Sequence, residues 1–386
     1  MPAFDLASAS RELIVKTGSS RFFVDWVKLN AGQGRVQFDE YLAMRLWDPA
    51  FCSGAILKEF VGNKGMEKVW ATVNFIPGSG ALASNKIAAA AILGAYGLTM
   101  PTLSGLHATG VIPGPGRTAT PEALKSFLLH ELSYPAFGKP LLGFQSLGSV
   151  SLDSCEPSGG LLTSQDGKKI EAGVLAQEIH ARYARDGYIF QPRLAPHETS
   201  RAICGDRVAT LRVLTITGPE GPSIFRACWK IPAGPNWADN FWRPGNLLAS
   251  IDMANGTVTR VVSGSGLAMT EVEKHPDTNT PLIGMKVPLW EERCAAALVG
   301  AAAMSDFGLL GWDIAATSTG SVIVEVNDTP DAIMIQIADR RGLMEPAFIK
   351  FLEGRRLAKK AWEAGVRAAA KKEHALSGRI FASQAK

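Results

Sequence analysis

Residues 311–327, GWDIAATSTGSVIVEVN, constrain the fold most tightly. Val322, Val324 and Val326 alternate with Ser321, Ile323, Glu325 and Asn327. A period of two marks a strand with two unlike faces, so Glu325 and Asn327 are expected to point one way and the valines the other. The run from Gly311 to Thr317 also reads as a strand, with Ser318, Thr319 and Gly320 as a three-residue hairpin loop. If the hairpin is symmetric about Thr319, Asp313 pairs with Glu325. Two carboxylates opposed across a sheet repel unless a cation lies between them. Oxygen ligands from Asp, Glu and Asn suit a hard ion such as Mg²⁺, which commonly shares a substrate phosphate. Two readings stay open: a Mg²⁺–nucleotide site, or a solvated hairpin with ordinary surface acids.

A chain of 386 residues with 46% hydrophobic content can bury a large core in two or three domains. Its charge is uneven. Residues 350–386 hold ten Lys/Arg and three Asp/Glu, whereas the whole chain carries only +4. The basic tail can be a solvated helix face or a contact with a membrane surface or nucleic acid; no nucleic-acid partner is expected. The five cysteines, Cys52, Cys155, Cys204, Cys228 and Cys294, are scattered and form no CxxC or Cys/His cluster. That argues against a zinc site or a disulfide framework and for a reducing compartment. The start, MPAFDLASASRELIVKTG, lacks an apolar stretch of the signal-peptide kind. The alanine-rich runs near 87–98 and 295–304 fall short of the ~20 residues of a membrane span. The expectation is a cytoplasmic protein.

Along the chain, residues 1–60 read as mainly helical, with FDEYLAMRL (38–46) placing Phe38, Tyr41, Leu42 and Arg45 at helical spacing. VWATVNFIPGSG (69–80) reads as a strand and a glycine-rich turn. Ser84 or Asn85 can cap a helix from Lys86 to about Tyr96, and Thr120 with Pro121 opens another. FGKPLLGFQSLGSVSLDS (137–154) reads as strand, loop, strand, and SQDGKKI as a turn at Asp166-Gly167. A helix near 174–187 follows. YIFQPRLA, ATLRVLTI, SIFRACWKI and LLASIDMANGTVTRVV then read as strands, and PLWEERCAAALVGAAAMSDFG as a helix leading into the hairpin. From Glu345 onward the chain reads as helical and basic. Helices and hairpins are segregated, which indicates an α+β fold.

No GxxxxGK[ST], strand-borne GxGxxG, GxSxG or HExxH occurs. If a nucleotide binds, its phosphates need other donors. Lys139 stands at a strand end before a loop bracketed by Gly143 and Gly148, where backbone N–H groups can approach an anion. Lys86, at a helix start, is a second candidate. Taken singly, each also reads as a solvated surface lysine.

Together, Asn85-Lys86 at a helix start, Lys139 before a glycine loop, and Asp with Glu-x-Asn on a late hairpin resemble the ATP-grasp superfamily. SNKIAAAAILGAYGLTMP, FGKPLLGFQSLGSVSL and GWDIAATSTGSVIVEVND carry the likeness. Within the superfamily the chain resembles the sugar-transfer-associated, α-L-glutamate ligase-like group, through FDEYLAMRL, TLRVLTI (210–216), DNFWRPGNLLASID (239–252) and HPDTNTPLIGMKVPLWEE (275–292). The likeness spans roughly residues 35–340. It implies a mainly helical region 1–84, an ATP-grasp domain 85–340 and basic helices 341–386. The domain would divide into a small lid (about 102–192) and a larger catalytic part (about 193–340), clasping ATP between them.

The resemblance also implies roles. Lys86 and Lys139 would contact phosphates, under a loop holding Gly143, Ser146 and Gly148. The strand YIFQPRL would line the adenine, with Gln191, Arg193 and Leu194 beside it. Asp313, Glu325 and Asn327 would hold Mg²⁺, with two ions expected. Arg212 would join Lys139 as a catalytic residue facing the phosphates or an acyl phosphate. Arg226, Asn246 and His197 are further candidates for substrate contact, though each also reads as an ordinary strand or loop residue. Trp237, Trp242 and Trp290 can stack on a ligand or simply pack. Two departures stand out: the loop GFQSLGS is poorer in glycine than many, and a helical start replaces the βαβ-like leading domain. The implied chemistry is an ATP- and Mg²⁺-dependent carboxylate–amine ligase working through an acyl phosphate, in a natural-product or cell-surface saccharide pathway. The alternatives are an ATP-dependent phosphotransferase and a non-catalytic nucleotide-binding module. The partners expected are a small carboxylate and a small amine. A homodimer is compatible with the sequence.

Overall fold

The computed structural model describes residues 6–52, 54–110, 114–142 and 147–384. Gly143 and Ser146 lie outside the described residues.

Helices come first. α1 (Leu6–Thr17), α2 (Arg21–Ala31), α3 (Phe38–Ala43), α4 (Asn63–Val73) and α5 (Gly80–Ser84) lead into α6 (Lys86–Ala95). The stretch expected as a strand from residue 69 is instead the end of α4. Met66, Val69 and Val73 are buried at i, i+3 and i+7, so helical periodicity outweighs the β-branched character of VWATV. α3 stops early because Arg45 takes φ 55°, a left-handed conformation. α6 starts where expected: the Asn85 side chain accepts hydrogen bonds from the Ile87 and Ala88 backbone N–H groups.

Two mixed α+β layers follow. The small sheet holds β1 (Gly105–His107), β2 (Arg117–Thr118), β3 (Ala136–Pro140), β4 (Val150–Glu156), β5 (Leu161–Ser164), β6 (Lys169–Glu171) and β7 (Tyr188–Pro192), ordered β2-β1-β7-β3-β4-β5-β6. α7 (Pro121–His130) and α8 (Ala172–Tyr183) share its apolar core. α7 opens as expected, with Thr120 accepting from the Ala123 N–H.

After α9 (Glu198–Cys204), the large sheet runs β8 (Thr210–Gly218), β9 (Gly221–Ile231), β10 (Leu247–Asp252), β11 (Thr257–Ser263) and β12 (Thr270–Glu271). α10 (Trp290–Ala303) then leads to β13 (Leu309–Thr317) and β14 (Gly320–Asn327), which add at the β8 edge. α11 (Ile333–Asp339) and α12 (Pro346–Gln384) close the chain.

The two faces of the large sheet bury different partners. Leu211, Val213, Trp229 and Trp312 pack in a core with residues of α6, α9 and α10. Leu214, Cys228, Leu248 and Val262 pack with residues of α1–α4, α11 and α12. The N-terminal helices therefore have no core of their own; they roof one face of the large sheet. By alternation along each strand, Arg212, Lys230 and Asp313 belong to the roofed face.

The β13–β14 hairpin differs in detail from its expected form. Its turn is the two residues Ser318-Thr319, closed by Thr317 opposite Gly320, where Gly320 adopts φ 113°. A bulge then shifts the register between the Ile314↔Ile323 and Asp313↔Glu325 pairs. The shorter turn and the extra residue cancel, so Asp313 still faces Glu325. The bulge also moves Ile323 into the apolar core with Val326 rather than leaving it beside Glu325.

Candidate active site

The roofed face carries a buried charge cluster. On β8, Arg212 is paired with Asp313 of β13 in the ladder. Its Nε and Nη2 donate to both carboxylate oxygens of Asp313, at 2.7 and 2.9 Å. From β9, the Lys230 ammonium reaches Asp313 Oδ1 at 3.1 Å and Asp239 Oδ1 at 3.6 Å. Asp239 lies in the loop after β9, where its Oδ2 accepts from the Thr210 N–H at 2.8 Å and from the Thr210 hydroxyl. Two cations and two carboxylates thus balance one another away from water. Burial opposes ionisation of Asp313, but Arg212 and Lys230 outweigh it and hold its carboxyl well below the usual range. Burial likewise opposes the Lys230 charge, and Asp239 and Asp313 outweigh it, raising its pKa.

The edge of the cluster faces the small sheet. Lys86, the first residue of α6, places Nζ 3.4 Å from Glu325 Oε1 and 3.3 Å from the Leu141 carbonyl. Lys139, on β3, donates to the Val324 carbonyl at 3.3 Å, so the bulge residue of β14 presents an acceptor to the opposite sheet. Burial pulls the Lys139 pKa down to about 8, against the opposing pull of Glu325. A buried lysine whose hydrogen-bond partner is a neutral carbonyl is poised to receive an anion.

These groups border two spaces that share lining residues. The cleft between the sheets has a cavity volume of about 140 Å³ and is lined by Lys86, Lys139, Gln191, Arg193, Leu194 and Trp237, among others. Gln191 is fixed by donating Nε2 to the Pro101 carbonyl at 3.1 Å, and Arg193 by an ion pair with Asp153. The Trp237 ring stands edge-on to Phe137 with centroids 5.5 Å apart. The second space, with a cavity volume of about 880 Å³, lies under the N-terminal roof and is lined by Arg212, Lys230, Asp313 and Asn327. Asp239 and Glu325 border both.

Other predicted residues lie elsewhere. Arg226 is buried and spends its guanidinium on the Arg341 and Gly342 carbonyls and on Glu345 at 3.0 Å; it pins β9 to the start of α12. Asn246 is fully buried, accepting from the Ala233 N–H and donating to the Ala238 and Asn240 carbonyls, which shapes the loop that delivers Asp239. His197 caps α9, its Nδ1 accepting from the Thr199 N–H at 3.2 Å. None of the three lines either space. Gly148 is in a turn at φ 74°, where a Cβ would meet the Tyr183 hydroxyl at 2.0 Å. Trp242 borders the roofed space and donates Nε1 to Asp331, whereas Trp290 is buried against Gly256. Sequence reasoning missed Lys230 and Asp239. The signal for Lys230 was legible: Arg226, Cys228 and Lys230 alternate with apolar residues along β9 and so share the Arg212 face.

The donor set for a metal is all oxygen. Glu325 and Asn327 face one space with Asp313, and the buried Asn327 Nδ2 has no hydrogen-bond partner, so no bond fixes which end of the amide faces that space. Asp313 already accepts three hydrogen bonds, and a carboxylate offers about four lone-pair positions. No three His, Cys, Asp or Glu residues cluster as a metal site among the described residues. Glu325 and Asn327, with the remaining position on Asp313, fit a hard cation that keeps waters and shares ligands with a phosphate.

No curated protein matches the chain in sequence. Solved structures show partial similarity. N5-carboxyaminoimidazole ribonucleotide synthetase in its ADP complex is 17% identical at TM-score 0.38, covering 71% of this chain and 52% of its own. The D-alanine–D-alanine ligase from Coxiella burnetii is 12% identical at TM-score 0.43, covering 77% and 63%. The L-amino acid ligase from Bacillus licheniformis is 12% identical at TM-score 0.42, covering 76% and 55%. This chain thus spans about half to two thirds of the length of these structures. The sequence model of the sugar-transfer associated ATP-grasp family matches residues 155–349, which contain all of the large sheet and its charge cluster. The chain belongs to the sugar-transfer associated ATP-grasp family.

Proposed function

We propose that the protein is an ATP- and Mg²⁺-dependent ligase that joins a carboxylate to an amine through an acyl phosphate. The observation that carries this reading is the meeting of two spaces at Asp239 and Glu325, one bordered by the lysines and one by the buried ion cluster. ATP sits in the cleft, with its adenine beside Gln191 and Leu194 and its phosphates toward Lys86 and Lys139. A carboxylate oxygen attacks the γ-phosphorus; the O–P bond forms as the bond to the β,γ-bridging oxygen breaks, and ADP leaves. The amine nitrogen then attacks the acyl carbon, the C–N bond forms, phosphate departs and the amine proton is lost. Mg²⁺ held by Asp313, Glu325 and Asn327 would supply charge neutralisation at the transferring phosphoryl group. The chain's own share is positioning and fixed charge. Arg212 keeps Asp313 oriented, and the lysines hold the phosphates. No helix among the described residues is long and apolar enough to cross a membrane, and five free thiols support a reducing, cytoplasmic setting.

The test is ADP release by purified protein with Mg·ATP across pooled carboxylates and amines, beside Glu325→Ala. ADP is expected only when both co-substrates are present, with the variant down by about 10²-fold or more. ADP formed without an amine would make the enzyme a phosphotransferase. Unchanged turnover in the variant would remove Glu325 from the site.

Lys139 adds a pH prediction. Its folded pKa, about 8, lies below its usual 10.5. Between these values the unfolded chain binds more protons, so this group's contribution to stability rises with pH. Bound polyphosphate favours the ammonium and raises that pKa, so ATP binding takes up a proton above pH 8 and weakens as pH climbs. The Kd for Mg·ATP should rise by on the order of tenfold between about pH 7.5 and 9.5, as measured by calorimetry. In Lys139→Met the affinity should be lower and nearly flat. A wild type as flat as the variant would sink the assignment.

A further inference from the structure

We propose that the space under the N-terminal helices seats the amine substrate, and that this amine carries no carboxylate of its own: an amino sugar or a diamine rather than an amino acid. The inference rests on the ligase reading and names the acceptor class for it.

The location follows from the lining residues. Asp313 and Glu325, which the ligase reading places at the reaction centre, line the roofed space, and of the two only Glu325 also lines the nucleotide cleft. An amine arriving there meets the acyl carbon without crossing the nucleotide. Its outer wall is supplied by α1, α3, α4, the loop at 265–268 and the segment entering α11.

The chemical class follows from charge. Seven carboxylates line this space (Glu12, Asp39, Glu40, Asp239, Asp313, Glu325 and Asp331) against two lining cations, Arg212 and Lys230, with Lys86 reaching Glu325 from the cleft side; Glu12, Asp39, Glu40 and Asp331 have no cationic partner within salt-bridge distance among the described residues. Both cations are already spent: Arg212 on Asp313, Lys230 on Asp313 and Asp239. An amino acid brings a carboxylate that needs a cationic or N–H partner. Here it would find anions instead, and like charges in a partly desolvated space repel strongly. The outer acids are differently employed. Glu40 caps backbone, accepting from the Gln37 and Asn63 N–H groups at 2.8 Å each. Asp331 accepts from Trp242 Nε1 at 2.7 Å and from the Ile333 N–H at 2.9 Å, and makes no ion pair among the described residues. Glu12 and Asp39 are exposed and form no ion pair there either. The indoles of Trp70 and Trp242 border the same space. Acids beside indole rings suit a cationic head on a compact, partly apolar body.

The test separates this inference from the reading beneath it. Binding of glucosamine, putrescine, L-alanine and L-glutamate is measured by calorimetry on the full chain loaded with Mg²⁺ and a non-hydrolysable ATP analogue. Wild type is compared with the Glu12→Gln/Asp39→Asn double variant, whose two sites are exposed and leave the core untouched. Glucosamine or putrescine should bind about tenfold or more tighter than either amino acid. The double variant should lose about tenfold of that affinity while its nucleotide affinity stays the same. Amino acids binding as well as the cationic amines, unchanged affinity in the double variant, or no amine binding at all would each overturn the proposal. ADP release is followed in parallel with the carboxylate pool. Cationic amines that bind as expected but never support ADP release would break the ligase reading and leave the selectivity of the space standing. Amino acids that drive ADP release would break the selectivity and leave the ligase reading standing.

Discussion

Asp313→Asn is expected to abolish ADP release and to destabilise the fold by about 3–5 kcal/mol, the cost of leaving a buried charge without its partner. Among the described residues, Asp313 is the only carboxylate that Arg212 bonds through two nitrogens, and it is the nearer of the two that hold Lys230. Asparagine keeps the shape and removes the charge, so one cation more than the carboxylates can balance stays buried. Asp239→Asn should cost less, because its contact with Lys230 is longer, at 3.6 Å, and Asp313 remains. Acid sensitivity carries the same signature. The folded Asp313 carboxyl titrates well below its unfolded value, so its contribution is complete above about pH 4 and fades as pH falls through the lower folded pKa. The variant should lose that part of its acid dependence. Urea unfolding at pH 7 and pH 3, beside ADP release, measures both effects. A variant within about 1 kcal/mol of wild type would mean that Arg212 and Lys230 are solvated rather than paired.

The sequence was most legible at helix starts. The capped start of α6 and the Thr120-Pro121 start of α7 each stand where local chemistry puts them, whereas the alternation of β14 is interrupted by its bulge. The Asp313–Glu325 pairing was legible only because two local departures offset each other. A two-residue turn and a bulge cannot be told from a plain three-residue loop by counting residues. What stayed hidden depends on contacts distant in sequence. Lys230 and Asp239 matter through Asp313, more than seventy positions away. Arg226 has the look of a site residue on an alternating strand, yet its partners are two backbone carbonyls and carboxylates more than a hundred residues on. The extent of the roof was hidden for a related reason. Nothing local in FDEYLAMRL says that the helices before the sheet will share its core.

That shared core leads to the second large effect. Gly342→Ala should destabilise the fold by about 3 kcal/mol, the upper part of the usual range for overpacking. A Cβ there would stand 1.9 Å from the Glu59 carbonyl carbon and 2.3 Å from the Phe60 nitrogen. Both are backbone atoms, so no rotamer change relieves the clash. The segment cannot retreat easily, because Gly34 closes its other side: a Cβ on that glycine would meet the Phe60 oxygen at 2.1 Å. It is also held by bonds that the alanine would strain. The Gln336 amide exchanges hydrogen bonds with the Val61 backbone at 2.9 and 2.8 Å, and the Met344 N–H donates to the Glu59 carbonyl at 2.9 Å. Residues 59–61 are therefore the tie between the N-terminal helices and the α11–α12 junction, and loosening it lifts the roof before it disturbs the sheet. In urea unfolding the variant's midpoint should move to lower urea. In limited proteolysis it should be cut first within the N-terminal helices. Its affinity for Mg·ATP, whose cleft lies between the two sheets, should fall less than its affinity for a cationic amine. A loss spread equally over both ligands would make the N-terminal helices part of the nucleotide site as well.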